Sequence, residues 1–317
     1  MKFIKKYILP IAIVLGLLLH NVCAQLSFMI PYLIFIILFL TFSAVDLRKI
    51  RVKRIDVMLL AYQITMAGGC YLMLTHLHCD KVICEAVMMA SLTPVAASST
   101  VVACMLGADR ETMTGYSIIG NLGIAVAAPL FFTLIGDHPE YSLGTSFLMM
   151  LLKIGSTLAL PFFLALLLQM LLPKVNNEVA KRNGWSYYVW AVAFLLTIGQ
   201  TMHYIIDRWT ESWGVILVMG AVAMVFCLGQ FILGRQIDPH YGDRVSGAQL
   251  MGQKNSAMGI WMCNTFLMPL SSVLMAFYSI FQNLYNSWQL SRVASPPAPL
   301  QVERGVDSIT SETGRTF

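Results

Sequence analysis

Charge is what this chain lacks. Asp, Glu, Lys and Arg make up 12% of its 317 residues, against about 25% in soluble domains. Its 21 basic and 16 acidic side chains, many bunched in short runs, cannot dress the surface of a water-soluble protein of this size. An ordinary soluble domain is therefore excluded. Disorder and collagen are excluded because Leu, Ile, Met and Phe are abundant. A disulfide scaffold is excluded because the seven cysteines lie mostly inside apolar runs, where they read as small core residues. What the chain has instead is apolar: 57% of it is hydrophobic and its mean hydropathy is +0.71, so its surface should face lipid. A formal charge of +5 could suggest a nucleic-acid partner. In a membrane chain it reflects basic residues held on the cytoplasmic side, and no nucleic acid is expected.

A helix crosses the hydrocarbon in about 20 residues. Cutting wherever charges, Pro/Gly or polar clusters interrupt runs of that length gives ten segments, roughly 7–22, 26–46, 56–76, 82–106, 112–135, 145–172, 186–206, 212–234, 245–264 and 266–288. Ten spans occupy most of residues 1–290 and leave no room for a soluble domain, so function must reside among the helices. Residues 291–317 read as a polar, disordered cytoplasmic tail. The first segment, with three lysines ahead of an apolar run and Cys23-Ala24-Gln25, also resembles a secretory signal peptide; it is retained as a span. With ten spans, 17 basic residues fall on one side and only Lys81 and Arg208 on the other, while Lys153 and Lys254 lie inside spans. The positive-inside rule makes the rich side cytoplasmic, with both termini there, as in a bacterial inner membrane.

Two segments are poor helices in their middles. Span 4 reads Ser91-Leu-Thr-Pro-Val-Ala-Ala-Ser-Ser-Thr100 and span 9 reads Ser246-Gly-Ala-Gln-Leu-Met-Gly-Gln-Lys-Asn-Ser256. A break within lipid is costly because no water satisfies the freed backbone groups. Alone, span 4 reads as a proline kink with small residues at a helix contact. The pair says more: the breaks are about 156 residues apart, close to half the chain, and five spans apart. An odd offset inserts a duplicated five-span unit upside down. The expected fold is all-α, with repeats over about 1–140 and 141–290 and helices 4 and 9 broken and crossing, a design used by secondary transporters.

At these residues the chain resembles the bile acid:sodium symporter family, over about residues 1–290. Gly252-Gln-Lys-Asn-Ser256, followed by Ala-Met-Gly-Ile-Trp261 and later Phe281-Gln-Asn-Leu-Tyr-Asn-Ser-Trp288, resembles the Gln-Asn-Ser signature of span 9, in a lysine-containing bacterial version. Pro94 through Thr100, with Leu106-Gly-Ala-Asp109, is similar to the family's span 4 stretch. The resemblance implies a first sodium site at Ser99, Thr100 and either Thr114 or Ser117, and a second using Gln63 on span 3 with residues of span 9. Aligned on Asn255, Lys254 takes the family's Gln position and Leu250 its Glu; a one-residue slip would place Gln249 and Gln253 there. Neither register supplies a carboxylate. The resemblance further implies a substrate site at the crossing, carried here by Thr93, Ser98, Gln253, Lys254 and Asn255.

Na⁺ favours oxygen ligands with negative charge nearby, so a lysine at this position is read as replacing the second sodium, either pairing with an anionic substrate or cycling a proton. The expected function is alternating-access transport of a small organic anion with Na⁺ or H⁺ coupling, or without a cation, by a monomer or weak homo-oligomer in the bilayer. No cofactor beyond Na⁺ is expected. A membrane enzyme is disfavoured because no Ser/His or paired-carboxylate set shares a depth, and a receptor would not need two broken helices. Elsewhere, Lys153 reads as a snorkelling side chain, His76-Leu-His-Cys-Asp80 as a solvated turn, and Asn121, Gln200 and Asn264 as amides bonding neighbouring helices.

Overall fold

The computed structural model describes residues 11–12, 14–47, 52–96, 99–136, 142–207, 209–237 and 244–293, and among these it contains helices and no strands. In chain order they are α1 (His20–Gln25), α2 (Ile30–Ser43), α3 (Arg54–His76), α4 (Lys81–Leu92), α5 (Ser99–Met105), α6 (Arg110–Ile135), α7 (Leu143–Leu171), α8 (Pro173–Lys181), α9 (Ser186–Asp207), α10 (Trp209–Ile237), α11 (Arg244–Gly252), α12 (Ser256–Phe266) and α13 (Ser272–Val293). Among the described residues, four helical stretches are long and apolar enough to cross a membrane: Arg54–His76, Glu111–Ile135, Leu143–Leu171 and Gly214–Ile237. The fold is that of an all-helical membrane protein. Its outer faces agree: Leu134, Leu152, Leu217 and Val225 are each more than 60% exposed, an arrangement that water would penalise and lipid accepts.

Helix starts follow short polar caps. Asp80 accepts the Val82 N–H at 3.0 Å to start α4, Asp109 accepts Thr112 N–H at 3.0 Å to start α6, and Ser142 starts α7. Asp80 thus belongs to a structural turn, and no trio of His, Cys, Asp or Glu among the described residues is grouped to hold a metal. Two elements depart from the sequence reading. A short helix, α8, occupies the connection after 172, started by Pro173 at its first position. The last helix begins only at Ser272, after Pro269 opens a 3₁₀ turn, and runs on to Val293, three residues into the predicted tail. The first ten residues and 294–317 lie outside the described residues.

The core has two large apolar clusters. One joins α2, α6, α7 and α12 through Leu38, Phe132, Leu158 and Trp261. The other joins α4, α9, α10 and α13 through Ala86, Phe194, Phe231 and Tyr278. A smaller one, with Leu59, Val95, Met113, Tyr116 and Leu250, sits where the two interrupted helices meet. Backbones come close beside it, because a Cβ on Gly234 of α10 would stand 2.2 Å from the Gly247 carbonyl oxygen of α11.

Candidate functional site

Both predicted breaks are real interruptions. The chain leaves helix between Leu92 and Ser99, and again between Gly252 and Ser256. The two extended pieces run antiparallel, with Val95 paired to Lys254. The Ala96 N–H donates to the Gln253 carbonyl at 3.1 Å and the Asn255 N–H to the Pro94 carbonyl at 2.8 Å. Each break thereby satisfies groups that the other has freed, which is how unwound backbone persists away from water. Asn255 then caps α12, its Oδ1 accepting from Met258 N–H at 3.4 Å.

Lys254 is fully buried. Its Nζ donates to the Ser91 carbonyl at 3.1 Å, and no ion pair joins it to a carboxylate among the described residues. The next carbonyls are also taken: Gln63 Nε2 donates to those of Leu92 at 3.0 Å and Thr93 at 2.9 Å. The Lys254 amine and an amide thus cover the carbonyl end of α4, the negative end of a helix dipole. Gln63 is used through its nitrogen, since its Oε1 accepts from the Tyr116 hydroxyl. Gln249 and Gln253 join in an amide chain, Gln253 donating to Gln249 and Gln249 to Gln289 at 2.8 Å. Leu250 lies in the apolar cluster with Leu59 and Tyr116.

The remaining predicted residues divide. Thr100, Thr114 and Ser117 line one cavity of about 480 Å³, together with Thr41 and Asn183. Ser99 is fully buried and its Oγ has no hydrogen-bond partner among the described residues. These hydroxyls are the residues that could hold a monovalent cation, and no carboxylate joins them in lining that cavity among the described residues. Thr93 turns its hydroxyl back to the Met89 carbonyl of its own helix at 2.6 Å. Ser98 lies outside the described residues.

A second cavity, about 150 Å³, adjoins the crossing on its α13 side and is lined by Gln253, Lys254, Ser256, Gln282 and Asn286 among others. Gln282 was missed by sequence reasoning. Its Oε1 accepts the Lys254 N–H at 2.8 Å and its Nε2 donates to the Lys254 carbonyl at 3.1 Å. Also missed was Tyr278, whose hydroxyl lies 2.9 Å from the Gly252 carbonyl and 3.2 Å from Gln230 Oε1, while Gln230 Nε2 donates to the Ala90 carbonyl at 3.2 Å. A signal for this face was available: Ser279, Gln282, Asn283 and Asn286 follow the i, i+3, i+4, i+7 spacing of one helix face.

Three single amides behave otherwise than expected. Asn121 donates to the Ser117 carbonyl of its own helix at 2.6 Å. The Asn264 amide and the Gln200 Oε1 have no partner among the described residues. An intrahelical acceptor four residues back is always within reach of such a side chain, and it wins over a neighbouring helix for Asn121. Lys153 is exposed and lies 5.3 Å over the Phe266 ring, consistent with a stem lying along apolar surface. Glu85, in the first turns of α4, is 1% exposed and accepts the Met268 N–H at 2.9 Å.

Outside the hydrocarbon, Lys53 bridges Asp109 at 2.7 Å and Glu111 at 3.2 Å. The Lys53 and Thr112 side-chain hydrogen bonds hold the Asp109 carboxyl well below the usual carboxylate range. The Asp109 N–H donates to Ser246 Oγ at 3.1 Å, so this turn ties the end of the first interrupted helix to the start of the second. No protein-family model matches the chain, and no curated protein matches it.

Proposed function

We propose that the protein is a secondary active transporter that moves a small organic anion by alternating access at the crossing of its two interrupted helices. On this reading the chain has ten spans in two inverted five-helix repeats, sits in the cytoplasmic membrane with both termini inside, and belongs with the bile acid:sodium symporters. The observation that carries it is the buried antiparallel pairing of Val95 with Lys254. Two helices are interrupted half a chain apart and meet beside two polar cavities, at an ammonium with no carboxylate partner among the described residues. A receptor or scaffold has no use for that arrangement, and burying a lone ammonium is too expensive to be incidental. The tyrosine–glutamine contacts support the repeat. In the first half Tyr116 of α6 bonds Gln63 of α3, and in the second Tyr278 of α13 meets Gln230 of α10. The two glutamines differ in what they reach next, Gln63 the Leu92 carbonyl at the end of α4 and Gln230 the Ala90 carbonyl of that same helix rather than one of α11.

Lys254 takes the part of a bound cation in this proposal. Transporters of this design place cations at the carbonyl ends of half-helices, and the ammonium stands at that end of α4, on the Ser91 carbonyl. One monovalent ion can still bind at Thr100, Thr114 and Ser117. The substrate anion then offsets the lysine charge. Sidedness tests the proposal: in a variant freed of its seven cysteines, Ser99→Cys and Asn255→Cys are labelled from opposite faces of the membrane before and after substrate is added. Labelling from one face throughout contradicts it.

A further inference from the structure

We infer that the 150 Å³ cavity beside the crossing is a recognition site for the polyhydroxylated part of a small acid, so that the substrate class is hydroxy acids of about three to six carbons. The inference rests on the transport reading for the word substrate, but its own ground is a pair of unsatisfied groups. Ser279 is 1% exposed and Asn286 8% exposed. Both line the cavity, and Ser279 Oγ and Asn286 Oδ1 have no hydrogen-bond partner among the described residues. Buried polar atoms are nearly always paired, and an exception at a cavity wall calls for a missing partner.

The chemistry of the missing partner follows from the wall. Ser279, Gln282, Asn283 and Asn286 present hydroxyl and amide groups along one face of α13, and none of them can ionise. Donors and acceptors without fixed charge match hydroxyl groups, which both give and receive. A different helix, α9, contributes Trp190 and Phe194, whose rings stack at 5.5 Å; aromatic faces suit the C–H side of a polyol. The crossing supplies the one charge, through Lys254, and Ser256, the first residue of the eleven-residue α12, lines the same cavity. The carboxylate therefore sits toward the crossing and the hydroxylated carbons toward Asn286. The volume is below the roughly 300–1,000 Å³ of sites for drug-sized ligands and suits a small acid.

Binding to purified protein tests this with matched acids that differ only in hydroxyl groups, glycerate against propionate and gluconate against hexanoate. The hydroxylated member of at least one pair should bind tenfold or more tightly than its partner. Ser279→Ala and Asn286→Leu should each remove most of that preference. Neither residue loses a partner for the unpaired atom, so the ligand-free melting temperature should hold or rise in both variants. Equal binding within both pairs, or a preference that survives both substitutions, overturns the inference, as does a fall in the ligand-free melting temperature that accounts for the lost binding. Transport in liposomes is a separate readout. A protein that moves acids without regard to hydroxyls overturns this inference alone, whereas one that binds hydroxy acids through Asn286 but moves none overturns the transport reading alone.

Discussion

Gln282 holds Lys254 by both backbone groups, accepting its N–H at 2.8 Å and donating to its carbonyl at 3.1 Å. A side-chain amide here does what a neighbouring strand would do in a sheet. It fixes the peptide that carries the buried ammonium, while a further bond to Ser256 Oγ at 3.1 Å ties it to the start of α12. Gln282→Leu leaves the buried Lys254 N–H unmet, at about 1–3 kcal/mol, while the Lys254 carbonyl keeps the Ser256 N–H at 2.9 Å. Thermal unfolding in detergent should show a loss of about 1–3 kcal/mol. An unchanged melting temperature would mean that water replaces the amide at no cost.

Lys254→Met should behave in the opposite way. The ammonium has one hydrogen bond to a carbonyl and no counter-charge among the described residues, so its burial is unfavourable for the fold, and an apolar side chain of similar length relieves that. The variant should melt at the wild-type temperature or above it while its affinity for organic acids falls tenfold or more. A large loss of stability would show that the lysine is structural.

Helix contact near the crossing depends on Gly234, where a Cβ would meet the Gly247 backbone oxygen at 2.2 Å. Gly234→Ala should cost about 1–3 kcal/mol through backbone displacement. Gly155, in α7, has nothing within 4 Å of where a Cβ would stand, so Gly155→Ala should be neutral or gain up to about 1 kcal/mol in helix propensity. Comparing the two melting temperatures checks both.

Asp109 gives a pH signature. Its carboxyl is held below the usual range by Lys53 and Thr112, so the pairing stabilises the fold above the unfolded value of about 3.9 and the contribution is lost as pH falls below that toward the folded value. Asp109 and Lys53 are partly exposed, their side chains at 46% and 35%, so solvent screening keeps the effect under about 1 kcal/mol. The stability gap between wild type and Asp109→Asn should be level from pH 7 to 5 and close below pH 4. A gap that widens on acidification would refute the assignment.

Much of the architecture was legible because the breaks are written in chemistry that lipid forbids. Pro94 and the Gly252-Gln-Lys-Asn run could not continue a buried helix, and the interruptions fall there. The partners of those breaks were not legible. Gln282, Tyr278, Gln230 and Tyr116 are single polar residues scattered through apolar spans, and which backbone group each meets depends on packing between segments far apart in sequence. The polar face of α13 could have been read from its helical spacing, yet its residues looked like one more stretch of resemblance.

Uptake into liposomes containing the purified protein tests the central claim most directly, with a labelled hydroxy acid outside and the Na⁺ and H⁺ gradients set independently. The account predicts saturable uptake of the acid, driven by at most one Na⁺ or by protons, and abolished by Lys254→Met in a protein that still folds. No uptake above protein-free liposomes, or uptake that needs two Na⁺ per acid and survives Lys254→Met, would contradict it.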